Sequence, residues 1–201
     1  GKGDRGGFIY LIGKFNFLGG TIKNAHAVKG DEGYNYENAF TNGVGGAVYV
    51  QAGAEFIMDG GNIEDCSAYG YTHVVMKNDE GEITYEGDLN IKSYNNEYFK
   101  GWIPHMGGAV FIDAWYGKGG TFHFKSGTIK NCFSGIGGAV CVHVSQDYAA
   151  TSKGSVGEFI MEDGGKITGC WCEYALPDYA YGGGAVFVAG KSINGMELAA
   201  K

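Results

Sequence analysis

Arginine occurs once, as Arg5, and proline only twice in 201 residues. With a formal net charge of −7, one arginine leaves no basic stripe to follow a phosphate backbone, which excludes nucleic acid as a partner. No apolar run approaches the ~20 residues of a membrane-spanning helix. Neither a signal peptide nor an initiating methionine opens the chain, so the expectation is a mature or excised piece. The five cysteines are odd in number, and three of them share one repeat phase, which suits packing positions better than a disulfide framework.

Glycine is the residue in excess, at 38. No every-third-residue pattern accompanies it, which excludes collagen, and aromatics at 14% exclude disorder. Much of the glycine belongs to a repeat. Gly45-Gly46-Ala47-Val48-Tyr49-Val50 returns as Gly107 to Ile112, Gly137 to Val142 and Gly183 to Val188, with a degenerate first copy at Gly6 to Leu11. The first four glycine-led segments are each followed by a Phe-x-Phe or Phe-x-Met triplet, at Phe15, Phe56, Phe122 and Phe159. A glycine, isoleucine and cysteine (or alanine) segment follows, ending at Ala25, Cys66, Cys132 and Cys170. The fifth copy is not completed.

A unit that recurs with variable insertions cannot bury its apolar face except against the next unit. Length varies at only two places in the unit, so the insertions should leave from two corners as surface loops. The largest, at about 67–106, contains a candidate hairpin with strands at Glu82–Tyr85 and Leu89–Ile91 around Gly87-Asp88. It also contains Tyr69, Tyr71, Asn95, Tyr98 and Trp102, the chemistry of an adaptable recognition surface or of a cover for the column. The remaining extra residue is around Glu162-Asp163 in the fourth copy.

Period-two alternation assigns the faces. Val48/Val50, Val110/Ile112, Val140/Val142 and Val186/Val188 are expected inward. So are the Phe/Met positions of the triplets, the isoleucines Ile22, Ile63, Ile129 and Ile167, and the alanine–cysteine column. Tyr10, Tyr49, Phe111, Cys141 and Phe187 are then expected outward. Stacked short parallel strands with right-handed crossovers predict an all-β chain. Its expected form is a single domain, 1–201, built as a right-handed parallel β-helix of about five coils with loop insertions.

The Gly-Gly-Ala-[hydrophobic] strands resemble those of chlamydial polymorphic membrane proteins and autotransporter passenger domains. The resemblance implies a pectate-lyase-like solenoid and an extracellular or cell-surface location. That family's companion Phe-x-x-Asn motif is absent, with Ile22-Lys23-Asn24 and Ile129-Lys130-Asn131 standing near its place.

Several constellations bear on chemistry. Gln51, Asp113 and His143 occupy one phase, and Cys141 precedes His143 by two, so Asp113, His143 and Cys141 form a candidate acid–base–nucleophile set. The alternative makes Cys141 a filler of the aromatic column and His143 a surface residue at a strand end, and a reversed parity would bury Cys141. Pectinolytic chemistry would demand clustered aspartates, which are not seen. The calcium nonapeptide is absent and Cys170-Trp171-Cys172 lacks the second pair of a zinc site, so no metal or cofactor is expected. Cys66, Cys132 and Cys170 stack within bridging distance, but parallel neighbours rarely meet disulfide torsion, which favours buried free thiols.

The outward column of Tyr10, Tyr49, Phe111 and Phe187 is the candidate binding face for a glycan or protein partner, unless an insertion folds over it. Neither end of the column shows an obvious cap, which suggests a fragment or end-to-end stacking, although Lys191–Lys201 is a possible lid. Two functions fit these features. One is a non-enzymatic structural or adhesive protein that self-associates through its ends into a fibre, and the other is a carbohydrate-binding or carbohydrate-active module.

Overall fold

The structure, a computed structural model, describes residues 2–3, 5–27, 43–68, 72–77, 83–89, 106–115, 117–145, 155–172, 183–188, 190–193 and 196–199. These residues form an all-β arrangement dominated by three five-stranded sheets in which every pairing is parallel.

The first sheet contains the glycine-led strands Ile9–Leu11, Val48–Val50, Val110–Ile112, Val140–Val142 and Val186–Val188, in that order. The second contains Glu158–Thr168, Thr121–Lys130 and Glu55–Glu64, with Lys14–Phe17 and Thr21–Lys23 both pairing against the last of these. The third is built of two-residue strands: Lys2–Gly3, His26–Ala27, Ser67–Ala68, Phe133–Ser134 and Trp171–Cys172. Within each sheet neighbours follow chain order, and equivalent residues of successive copies face each other: Tyr10, Tyr49, Phe111, Cys141 and Phe187 are one such row.

The two glycines that open each of the first four copies have different physical roles. The first turns the chain in the left-handed region, at φ 67 for Gly45, 68 for Gly107 and 64 for Gly137, where a Cβ is penalised. The second lets successive copies approach, because a Cβ on Gly46 would stand 1.9 Å from the Gly108 carbonyl oxygen, and one on Gly108 2.1 Å from that of Gly138. The opposite corner also requires positive φ. Asn24, Asp65, Asn131 and Gly169 hold φ of 53, 53, 54 and 63, and Asn, Asp and Gly are the residue types that tolerate this conformation.

The triplet and the isoleucine segment, separate by sequence pattern, are continuous ten- or eleven-residue strands in the later copies. The extra residue of the fourth copy is absorbed as a bulge, since Phe124 pairs with Met161 while Ser126 pairs with Gly164. The hairpin of the large insertion differs from expectation. Ile83–Leu89 is one strand, paired antiparallel with Thr72–Lys77, so Gly87 and Asp88 face Val74 and His73 instead of forming the turn. Local turn residues misled here because β propensity on either side carried the strand through them. Tyr69, Tyr71, Asn95, Tyr98 and Trp102 lie outside the described residues. In the tail, Gly190–Ile193 pairs antiparallel with Met196–Ala199.

The main core lies where the expected inward positions converge. Val48, Val50, Val110, Ile112, Val140, Val142, Phe56, Met58, Phe122, Phe124, Ile63, Ile129 and Cys132 are fully buried there. A phenylalanine stack runs through it, with centroids 5.9 Å apart from Phe15 to Phe56, 4.8 Å from Phe56 to Phe122 and 5.3 Å from Phe122 to Phe159. Offset stacks of this kind add to the burial of the rings themselves.

The row expected to face outward is corrected. Tyr49, Phe111 and Cys141 do point away from the main core, but into a second buried cluster with Val44, Met106 and Ile136, against which Phe187 packs. Val44, Met106 and Ile136 immediately precede the glycine pairs and bridge one another in parallel. The left-handed glycine brings them back over the aromatic row. A parallel strand covered on both faces has a continuous apolar run instead of alternation, and Ala47-Val48-Tyr49-Val50 is such a run.

Candidate functional site

At the end of the glycine-led strands the copies offer Gln51, Asp113 and His143 in succession. Their backbones are locked together, with Asp113 N–H donating to Val50 O at 2.9 Å and His143 N–H to Ile112 O at 3.0 Å. Asp113 is buried, and its carboxylate is well supplied with donors. Tyr49 Oη donates to Oδ2 at 2.5 Å, and the Ala114 amide donates to Oδ1 at 2.9 Å. His143 Nδ1 lies 3.4 Å from Oδ1, yet it is buried without a hydrogen bond. The two are therefore neighbours whose alignment is too poor for a bond. The imidazole also sits 5.7 Å from the Phe111 ring at a tilt of 33°.

The electrostatics follow from these contacts. Burial pushes the Asp113 carboxyl up, but the adjoining His143 and the Tyr49 hydroxyl outweigh it and hold Asp113 below its ordinary value of 3.8. Tyr49 is pushed far above its ordinary 10.0, first by burial and then by the Asp113 charge. It is thus a fixed proton donor across the neutral range. Arg5 lies 5.8 Å over the Tyr49 ring, a cation–π distance, and its charge partly offsets the shift.

Of the candidate acid–base–nucleophile set, Asp113 and His143 come together and Cys141 does not join them as a nucleophile. Its thiol is fully buried in the second cluster, and burial alone raises its pKa, with no imidazole or cation to offset it. A reactive cysteine needs the opposite setting. The carboxylate's close partner is Tyr49, which alternation had placed outside; its reach to Asp113 crosses 64 residues of sequence, and no local pattern signals it.

The aromatic row is likewise not an open binding face. Tyr49 is 1% exposed and Phe111 0%; Phe187 is half-buried. Tyr10, in the first copy, is 46% exposed and stacks on Tyr49 at 4.9 Å. Among the described residues no group of three or more His, Cys, Asp or Glu is arranged to hold one metal ion, and no helix is long and apolar enough to cross a membrane.

No family model, curated protein or solved structure matches this chain. The buried Tyr49–Asp113 bond ties the second copy to the third, with the His143 imidazole of the fourth beside it.

Proposed function

We propose that the three parallel sheets are the walls of a right-handed parallel β-helix, and that the protein is a non-enzymatic structural or adhesive element that self-associates through its end strands. The strand order supports the solenoid, since the chain moves from sheet to sheet and advances one place in each at every copy. The handedness rests on the general rule for parallel crossovers.

One observation carries the self-association. Rows that are interior in the middle copies open to solvent at the last ones and in part at the first, where Phe15 and Phe17 are half-buried while Leu11 and Ile22 stay closed. Val50 is 0% exposed and its row-mate Val188 45%; Met58 is 0% and Met161 45%. Phe8, Ile12 and Leu18 at the first copy and Trp171 at the fourth are more than half exposed. Edge strands with unpaired amides and apolar rows are templates for further parallel strands, and the two edges present equivalent rows of one repeat. A heterologous contact between them propagates instead of closing. The resemblance of the glycine-led strands to bacterial surface repeats supports an extracellular or cell-surface setting. A glycan-binding reading retains only Tyr10 of the aromatic row as an open ring.

Sedimentation velocity over a wide concentration range tests this. The expected result is a concentration-dependent shift to larger, open-ended species. A single monomer boundary at the highest concentration overturns it.

A further inference from the structure

Packing does not require sulfur at the corner of the repeat, because Ala25 fills that position in the first copy while fully buried. The next three copies place Cys66, Cys132 and Cys170 there. Register on both sides makes them stacked neighbours: Glu64 pairs with Lys130 and Lys130 with Thr168 before them, and Ser67 with Phe133 and Phe133 with Trp171 after them.

The three side chains adopt one arrangement. Each thiol donates to the carbonyl oxygen two residues back, at 3.1 Å for Cys66, 3.3 Å for Cys132 and 3.5 Å for Cys170. Each also lies 3.9 Å from an isoleucine carbonyl of the preceding copy: Ile22, Ile63 and Ile129 in turn. A backbone amide is aimed at every sulfur, Ala25 to Cys66, Cys66 to Cys132 and Cys132 to Cys170, the last at 3.4 Å.

Common orientation disfavours a disulfide, which needs Cβ atoms ~3.8 Å apart and a torsion near ~90°. In-register parallel strands instead set like side chains ~4.8 Å apart. Two metal–thiolate bonds of ~2.3 Å placed in line span nearly the same distance. Linear two-coordination is the habit of soft d¹⁰ cations, and thiolates select Cu(I) among biological metals. With no third ligand placed around a common point among the described residues, zinc's four-coordinate demand is not met.

We propose that Cys132 and Cys170 form a linear two-coordinate site for Cu(I). Two S–H protons leave as the ion enters, giving a bis-thiolate centre of net charge −1 with no change in copper oxidation state. Cys132 is buried and Cys170 partly exposed, so the ion enters from the Cys170 side and joins the third copy to the fourth. Cys66 is a spectator one place further in.

The test uses the full reduced chain in oxygen-free buffer, titrated with Cu(I) against a chromogenic Cu(I) chelator. One equivalent is expected, with two sulfur scatterers by X-ray absorption and no displacement by Zn(II). Cys132→Ala and Cys170→Ser should each lower affinity at least ~100-fold, the upper range for losing even an indirect support of a metal site. Cys66→Ala, Cys141→Ser and Cys172→Ser should bind as wild type. Ala25 is the precedent for an alanine at this corner, and an unchanged circular dichroism spectrum confirms folding; the half-exposed Cys170→Ser gives a second reading. Wild-type affinity in Cys132→Ala, loss in Cys172→Ser, absence of uptake, or oxidation of the pair to a disulfide on adding copper overturns the proposal.

Discussion

The hydroxyl of Tyr49 reaches across to the third copy and donates to Asp113 Oδ2 at 2.5 Å, inside the protein. Both groups depend on the contact. Without the tyrosine the carboxylate keeps the Ala114 amide and a poorly aligned histidine, and an under-satisfied buried acceptor is costly. Tyr49→Phe preserves the ring stack with Tyr10 and Phe111 and removes only the donor. It should lower unfolding free energy by about 1–3 kcal/mol, read from urea midpoints at constant slope.

The same pair sets opposite pH limits. Asp113 binds its proton less tightly in the folded state than at the ordinary 3.8. Its contribution is therefore present above that pH and is lost as pH falls through the lower native value. Tyr49 binds its proton more tightly than at the ordinary 10.0. Its contribution is complete below pH 10.0 and is lost as pH rises towards the native value. Asp113→Asn should flatten the acid limb of stability against pH and Tyr49→Phe the alkaline limb. Urea midpoints on either side of 3.8 and of 10.0 check both; an unchanged slope in either variant refutes the corresponding assignment.

Glycine positions should differ sharply in tolerance. Gly108→Ala puts a Cβ 2.1 Å from the Gly138 oxygen and 2.6 Å from Phe133 backbone atoms, and backbone on both sides cannot yield without separating copies. A loss above ~4 kcal/mol, or failure to fold, is expected for such overpacking. Gly13 has φ +89 but no neighbour within 4 Å, so Gly13→Ala should cost only conformational strain, about 1–2 kcal/mol. Thermal melts of the two variants make the comparison.

The corner residues offer a milder contrast. Asn131 sits at φ 54, in the phase that Gly169 occupies in the next copy, and it donates to Asp65 Oδ1 at 3.2 Å in an exposed setting. Asn131→Gly should be close to neutral, since the lost surface bond and the relieved backbone oppose each other. Asn131→Val places a β-branched residue in the left-handed region and should cost about 1–2 kcal/mol or more, measured by denaturant unfolding.

Alternation was legible where one face meets a core and the other does not. It correctly paired Val48 with Val50 and Phe56 with Met58. It could not reveal that the Tyr49–Phe111 face is closed by Val44, Met106 and Ile136, because period two records only that two faces differ. The unbroken apolar run was the available sign of burial on both sides. The strands Ser67–Ala68 and Phe133–Ser134 are two residues long, too short for any periodicity. The Tyr49–Asp113 bond depends on registering separate copies, and so does the choice between the readings of Cys141: burial in the second cluster makes it a filler of the aromatic column.

The cover of a row, as distinct from its phase, bears directly on association. Val188 shares its row with Val142, and Leu11 with Val50, so the two outer edges carry the apolar character of the interior while one of them, Val188, is 45% exposed. A charge there costs the monomer little but becomes buried and unpaired in a stacked pair. Val188→Lys and Met161→Lys should each leave the monomer's melting temperature near wild type and raise the concentration needed for association by an order of magnitude or more, since ~1.4 kcal/mol is tenfold. Lys14 faces Glu55, its ion-pair partner at 2.9 Å, in the row that ends at Glu158. If stacking brings the first copy of one molecule onto the fourth of another, Glu158→Lys should also weaken association, and Glu158→Lys with Lys14→Glu should restore part of it. Sedimentation of the four variants decides this: rescue requires the two edges to meet, whereas equal association in all four places the contact elsewhere.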